Sequence, residues 1–363
     1  MLPKIFAAGL LACVLYAPGW AGNKPSDYPN HEPICQANPA DTVADFSIPV
    51  NALRLDGKPI YDVLKSFGIK TIVRYYDFDN ETLSCKTLLN DEAKEIIGHG
   101  FELAVVFQHN NGSPRTFFDE TRGTSDAQRA LTLARHNGQP PNTTIFFGVD
   151  GPDNVIDGVV YMYRLARGGP ITPELARKHD WDSGDIAQYN AFLKYGPQKF
   201  GPDLGRVKAE DMLPYVEKYF ERVAAVFKAS ADAGGPSYRI GVYGSGLVCE
   251  RMSMRRDIIK TDCWLAQSVG WPGYDAFRTN GDWSLLQKNP TYCEPWVNLR
   301  QKQPVPPKKL PRKQQPGFDF NTVKPGKPDF GQWASKLDGT TDFKRPNDCP
   351  LLSPLPASTR PRG

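Results

Sequence analysis

Three aspartates stand where short apolar runs stop. Asp45 lies at Ala44-Asp45-Phe46-Ser47, Asp150 follows Thr144-Ile145-Phe146-Phe147-Gly148-Val149, and Asp319 lies in Gly317-Phe318-Asp319-Phe320-Asn321. Carboxyls brought together can cleave an acetal linkage: one protonates the leaving oxygen while another group attacks or activates water. Burial or a neighbouring like charge raises a carboxyl's pKa and makes it the acid. Other run ends carry polar or aromatic side chains suited to holding a substrate: Arg74, Tyr75, Gln108, Tyr243, Trp264, Gln267 and Gln287. Arg74 reads more simply as an ion-pair partner of one of the acids. Tyr75, Tyr243, Trp264 and Trp271 suit either a core or a sugar-stacking surface. The five histidines show no HExxH spacing and no cysteines form CxxC, so neither a metal nor another cofactor is expected. A GxSxG nucleophile elbow is also missing.

Those run ends matter only if the elements beneath them converge. Thr71–Tyr76, Phe101–Phe107 and Thr144–Val149 are β-branched and aromatic, as strands are. Helical spacing over Ile60–Phe67, Asp91–His99 and Ser125–Asn137 separates them, with Gly68, Gly100 and Gly138 at the stops. The alternation breaks at Gly151–Val207, a long, only partly helical insertion rich in Gly, Asp and Tyr. It resumes with a long helix over Asp211–Ala233 and short strands at Tyr238–Tyr243, Cys263–Ala266 and Trp283–Gln287. Repeated strand–helix units argue for an α/β fold with a parallel sheet. Eight strand candidates would close it into a TIM-like (β/α) barrel, irregular in its second half, with its site at the C-terminal strand ends. A doubly wound open sheet is the alternative, but no GxGxxG turn follows the first strand.

The N-terminus carries Lys4, an apolar stretch Ile5–Tyr16 and small residues before a cut after Ala21, the pattern of a secretory signal peptide over residues 1–21. A lipid anchor at Cys13, in Leu10-Leu11-Ala12-Cys13, ranks second. A polar leader then spans 22–40, the barrel 41–343 with a Pro-rich loop at 301–316, and a Pro-rich tail 344–363. No other stretch approaches membrane-spanning length. Of seven cysteines, six lie beyond the leader, and an even number in an exported chain suggests disulfides. The favoured pairings are Cys249–Cys263, Cys293–Cys349 and Cys35–Cys85. A net charge of +4 over 363 residues gives no nucleic-acid signal.

Together these strings resemble the bacterial glycoside-hydrolase-like domain of the DUF1906 type. The resemblance is carried by Val73-Arg74-Tyr75-Tyr76, Glu92-Ala93, Ala104–Phe107, Gly123–Ala130, Ile145–Asp150, Gly241–Ser245, Cys263–Ser268 and Trp283–Gln287, in order between Asp45 and Trp333. That family is distantly similar to the lysozyme-like family 25 glycoside hydrolases. The resemblance implies that Asp45-Phe46-Ser47 opens the site and Asp319-Phe320-Asn321 closes it. Asp150 keeps the central acid, but Pro152 stands where a proton-donating Glu belongs. Gln108 stands where such domains often carry a Glu. The expectation is an exported glycoside-hydrolase-like protein acting on a cell-envelope, peptidoglycan-like or other polysaccharide, with Asp150 central and Asp45 and Asp319 assisting. The alternatives are a barrel that binds glycan without cleaving it, or a secreted effector that binds a partner through the insertion.

Overall fold

The computed structural model describes residues 41–52, 54–55, 58–78, 85–150, 152–266, 273–288 and 318–335. The chain opens with β1 (Val43–Phe46), a small hairpin of β2 (Arg54–Leu55) and β3 (Lys58–Pro59), and α1 (Ile60–Ser66). There follow β4 (Thr71–Tyr76), α2 (Asn90–Gly98), β5 (Glu102–Phe107), α3 (Pro114–Phe118), α4 (Arg122–His136) and β6 (Thr144–Val149). Three helices come next, α5 (Pro152–Ala166), α6 (Pro173–Lys178) and α7 (Ser183–Phe200), then the long α8 (Leu213–Asp232). The chain continues through β7 (Arg239–Gly244), α9 (Gly246–Ser253), β8 (Cys263–Leu265), α10 (Tyr274–Asn280), β9 (Trp283–Lys288) and β10 (Phe318–Val323).

Eight strands close a barrel in the order β1-β10-β9-β8-β7-β6-β5-β4, as the strand count suggests. Side chains alternate along each strand. One set, including Val43, Val73, Ala104, Val106, Phe146, Trp264 and Leu285, fills the interior. The other, including Phe46, Ile72, Phe107, Phe147 and Val242, packs outward beneath the helices. α8 supplies much of that outer layer through Val216, Tyr219, Phe220, Val223 and Phe227, the spacing of one helix face.

Two features depart from the expectation. The barrel is not wholly parallel: β10 runs antiparallel to both β1 and β9. A strand's side-chain alternation is the same in either direction, so nothing in Phe318–Val323 announces its sense. Residues 151–207, expected as only partly helical, fold largely into α5, α6 and α7, whose Ile156, Val159, Tyr189 and Phe192 join the main core. At Gly196 the glycine has a packing role, since a Cβ there would lie 3.0 Å from Leu204.

The barrel's lower end is closed by the segment after β10. Phe330 enters the interior cluster, Gly331 accepts from Thr144 N at 3.1 Å, and Trp333 exchanges backbone bonds with Leu103 at 2.7 and 2.8 Å. Cys249 and Cys263 form the expected disulfide, tying α9 to the start of β8. Cys85 is also disulfide-bonded. The pairings Cys35–Cys85 and Cys293–Cys349 involve residues outside those described. Among the described residues, no helix is long and apolar enough to cross a membrane.

At the upper rim, an outward-facing ion pair fastens four segments. Arg74 on β4 and Glu92 on α2 are fully buried and meet in a two-pronged contact at 2.7 and 3.1 Å. The same guanidinium donates to Phe46 O at 2.5 Å and Lys86 O at 3.1 Å, and Glu92 accepts from Val50 N at 2.8 Å. Removing one partner strands a buried charge. Arg74→Met should therefore lose about 3–5 kcal/mol in urea unfolding. Arg74→Met with Glu92→Leu should regain only part, because the Phe46 and Lys86 carbonyls stay unpaired. A single-variant loss below about 1 kcal/mol would show that the pair does not fasten the rim.

Candidate active site

β1, β4, β5, β6 and β7 all run toward one mouth, and the reversed β10 begins there. Asp45 and Asp319 are directly opposed across the β1–β10 pair, so both inward-facing carboxyls stand at the same rim. Gln108 and Asp150 follow the last residues of β5 and β6. Inward-facing Gly148 leaves room between them: a Cβ there would lie 3.3 Å from Gln108 Cγ and 3.6 Å from Asp150 Oδ1. Tyr75, Tyr243 and Gln287 complete the wall, packed beside or bonded to the inner set.

The acids are held in a continuous hydrogen-bond system. Asp45 is 2 % exposed. It accepts from Tyr75 OH at 3.1 Å, Asn321 Nδ2 at 2.9 Å and Gln287 Nε2 at 3.4 Å. The Gln287 amide also reaches Asp319 Oδ2 at 3.3 Å, so one donor bridges the two carboxyls. Tyr243 OH donates to Gln287 Oε1 at 2.8 Å and fixes which way that amide faces. Beneath, Trp264 Nε1 donates to Asn321 Oδ1 at 2.7 Å and orients the Asn321 amide toward Asp45. On the opposite wall, Gln108 Nε2 donates to Asp150 Oδ2. Asp150 Oδ1 is buried and has no hydrogen-bond partner among the described residues.

Burial pushes the Asp45 carboxyl up to about 8, helped by the charge of Asp319 and opposed by the three donors. Burial raises Asp150 to about 6, while the Lys86 ammonium and the Gln108 amide pull the other way. Both tyrosine hydroxyls are pushed up by burial and then by the surrounding acids: Tyr75 by Asp45, Asp150 and Asp319, and Tyr243 by Asp150, Asp45 and Asp319. The mouth thus gathers two environments. One is the Asp45 carboxyl, raised by burial and by Asp319 beside it, and the other is Asp150, whose buried Oδ1 is unbonded among the described residues.

The structure brings together Asp45, Asp150, Asp319, Tyr75, Gln108, Tyr243 and Gln287. It places Arg74 on the barrel's outside, bound to Glu92 rather than to Asp45, Asp150 or Asp319, which corrects its assignment as a substrate contact. Alternation explains this: Tyr75 faces in, so its neighbour faces out. Trp264 is 1 % exposed and forms the floor, edge-on to Phe146 and Tyr243, instead of offering a surface for sugars. Gln267 and Trp271 lie outside the described residues. Pro152 begins α5, the position where proline costs a helix nothing. Asn321, the last residue of the Asp-x-Asn string, shares a strand face with Asp319 and joins the site. The sequence reading missed Lys86, which lies in an irregular stretch before α2 and carries no such signal. Among the described residues, no cluster of histidine, cysteine and acidic groups is arranged to hold a metal.

Residues 62–158, which include Gln108 and Asp150, match the model of the Rv2525c-like, glycoside hydrolase-like domain. Over those residues the chain is similar to a glycoside hydrolase-like domain of that family. It is also 34% identical over 228 residues to the uncharacterized protein YbfG of Bacillus subtilis (strain 168), an alignment covering 62% of this chain and 24% of that protein. The chain therefore spans about a quarter of that relative's length. Solved structures similar to it include the Mycobacterium tuberculosis Tat-secreted protein Rv2525c in complex with L-tartrate, at 16% identity and a TM-score of 0.43, covering 80% of this chain and 98% of that one. An uncharacterized B. stearothermophilus protein has 13% identity and a TM-score of 0.38 over the same shares.

The Asp45 environment sets a pH signature. Its folded-state pKa lies above the unfolded value of about 3.9, so between the two the folded protein holds a proton that the unfolded chain has lost. This contribution to stability is present below about pH 4 and is lost as pH rises toward 8. Asp150 adds the same sign up to about 6. Thermal melts at pH 5 and pH 8 should show a smaller loss on going to pH 8 in Asp45→Asn than in the parent. An equal loss in both would show that Asp45 ionises normally.

Proposed function

We propose that this protein is an exported glycan-acting barrel that hydrolyses glycosidic bonds in a cell-envelope, peptidoglycan-like or other polysaccharide. The observation that carries this reading is the buried Oδ1 of Asp150, unbonded among the described residues and set at the same mouth as the Asp45–Asp319 pair. Side chains alone suffice for the reaction. The pair, acting through the more exposed Asp319, gives a proton to the glycosidic oxygen as the bond to the anomeric carbon breaks. Asp150 Oδ1 takes a proton from the attacking water, whose hydroxyl joins that carbon. Solvent then returns the Asp150 proton to the pair. Half-buried Tyr75 and Tyr243 offer ring edges and hydroxyls to a sugar. Export is supported by the leader over residues 1–21 and by the Cys249–Cys263 disulfide. On this reading residues 22–40 and 344–363 flank a barrel of 41–343.

A second reading rests on Gln108. Its amide occupies Asp150 Oδ2, where a carboxyl could have supplied an acid beside Asp150. A barrel with an amide there binds sugar hydroxyls and leaves the linkage intact.

The two readings separate in an assay of reducing-end release from peptidoglycan and common neutral polysaccharides, run alongside polymer co-sedimentation. Hydrolysis predicts release by the parent and a fall of about 100-fold or more in both Asp150→Asn and Asp319→Asn. Co-sedimentation without release, weakened by Asp150→Asn, would replace hydrolysis with binding. Neither release nor co-sedimentation would remove the glycan reading.

A further inference from the structure

Lys86 lies between β4 and α2 and is 6% exposed, an unusual place for a lysine. Its backbone is fixed by the Arg74 guanidinium at its carbonyl. Its ammonium donates to Gln108 O at 2.7 Å, lies 3.5 Å from Asp77 Oδ2, and stands 4.9 Å from the centre of the Tyr75 ring. Asp77 is held in turn by His109 Nδ1 at 2.6 Å.

These contacts bear on both halves of the mouth. Tyr75 is the phenol that grips Asp45, and Gln108 is the residue whose amide grips Asp150. We infer that Lys86 is the positioning residue for Asp150: from behind the mouth wall it anchors Gln108 and supplies the positive charge against which the Asp150 carboxylate is held. A lysine kept only for packing could turn its head to solvent, as long cations normally do. Here the ammonium points into the wall instead.

The charges around this centre come from every adjoining element. Asp45 on β1, Tyr75 on β4, Tyr243 on β7 and Asp319 on β10 face Asp150 across the mouth. Asp77, His109 and Arg74 surround Lys86 from behind. Burial lowers the Lys86 pKa, while Asp77 and Asp150 raise it and Arg74 lowers it further. Lys86 and Asp150 therefore favour each other's charged forms, and that coupling is reciprocal.

The inference does not rest on glycan hydrolysis, because it is read in the free protein. In ¹³C-labelled protein, the side-chain carboxyl of Asp150 is assigned by its loss in Asp150→Asn and titrated. Lys86→Met should move that titration upward by about one pH unit or more, and Lys86→Arg should restore it. If Lys86→Met does not fold, the reciprocal arm decides: Asp150→Asn should lower the titration of the Lys86 ammonium by a comparable amount. An unmoved Asp150 in folded Lys86→Met, an equal shift in Lys86→Arg, or an unmoved Lys86 in Asp150→Asn would each overturn the inference.

Discussion

The Arg74–Glu92 pair lies outside the barrel, yet the inward-facing Asp45 and Tyr75 depend on what it fastens. Strand alternation makes this so. Arg74 faces out and holds the Phe46 and Lys86 carbonyls, so the adjacent residues Asp45 and Tyr75 are fixed facing in. Two charges buried without water are expensive unless each finds several partners. Here the guanidinium has the Glu92 carboxylate and two carbonyls, while the carboxylate also takes Val50 N. The cost of burying the pair is offset only when β1, β4, α2 and the stretch around Lys86 are all in place. The pair therefore acts as a check on assembly of this rim.

The reversal of β10 is the second condition. In a parallel strand the first residues would sit at the barrel's lower end, and Asp319 would be remote from Asp45. Run antiparallel, the same Asp-x-Asn string places Asp319 directly opposite Asp45, with Asn321 one step deeper. Asn321 then links floor to rim, because Trp264 turns its amide toward Asp45. Burial raises the Asp45 carboxyl, and the register adds to it: two acids opposed across one strand pair, with one amide donor shared between them, do not both ionise at low cost.

Much of this was legible in the residues. Strand ends named the three aspartates and four of the wall residues, and the alternation of elements named the barrel. What stayed hidden has specific causes. Strands such as Thr71–Tyr76 are buried on both faces, so polarity does not say which side of Arg74 is the interior. Direction is absent from a six-residue strand, which concealed how Asp319 arrives. Gly196 and Pro197 lie inside a helix of the insertion that the sequence marks as only partly helical, and the close packing of Gly196 against Leu204 leaves no local mark. Lys86 depends wholly on a fold that sets an irregular stretch behind β5, and a lone lysine in sequence gives no hint of that.

Gln108 and Pro152 looked, in sequence, like two losses from one catalytic pattern. In space they have separate consequences. Pro152 starts a helix and takes nothing from the mouth that Asp150 still occupies. Gln108 places an amide donor beside Asp150, and a donor holds a carboxylate in its charged form where a second acid would oppose it. On the hydrolytic reading proposed above, Asp150 with Gln108 and Lys86 behind it is the wall that accepts a proton, and the supply of a proton falls to Asp45 and Asp319 across the mouth. The amide that argues against a donor beside Asp150 is then what divides the roles between the two walls.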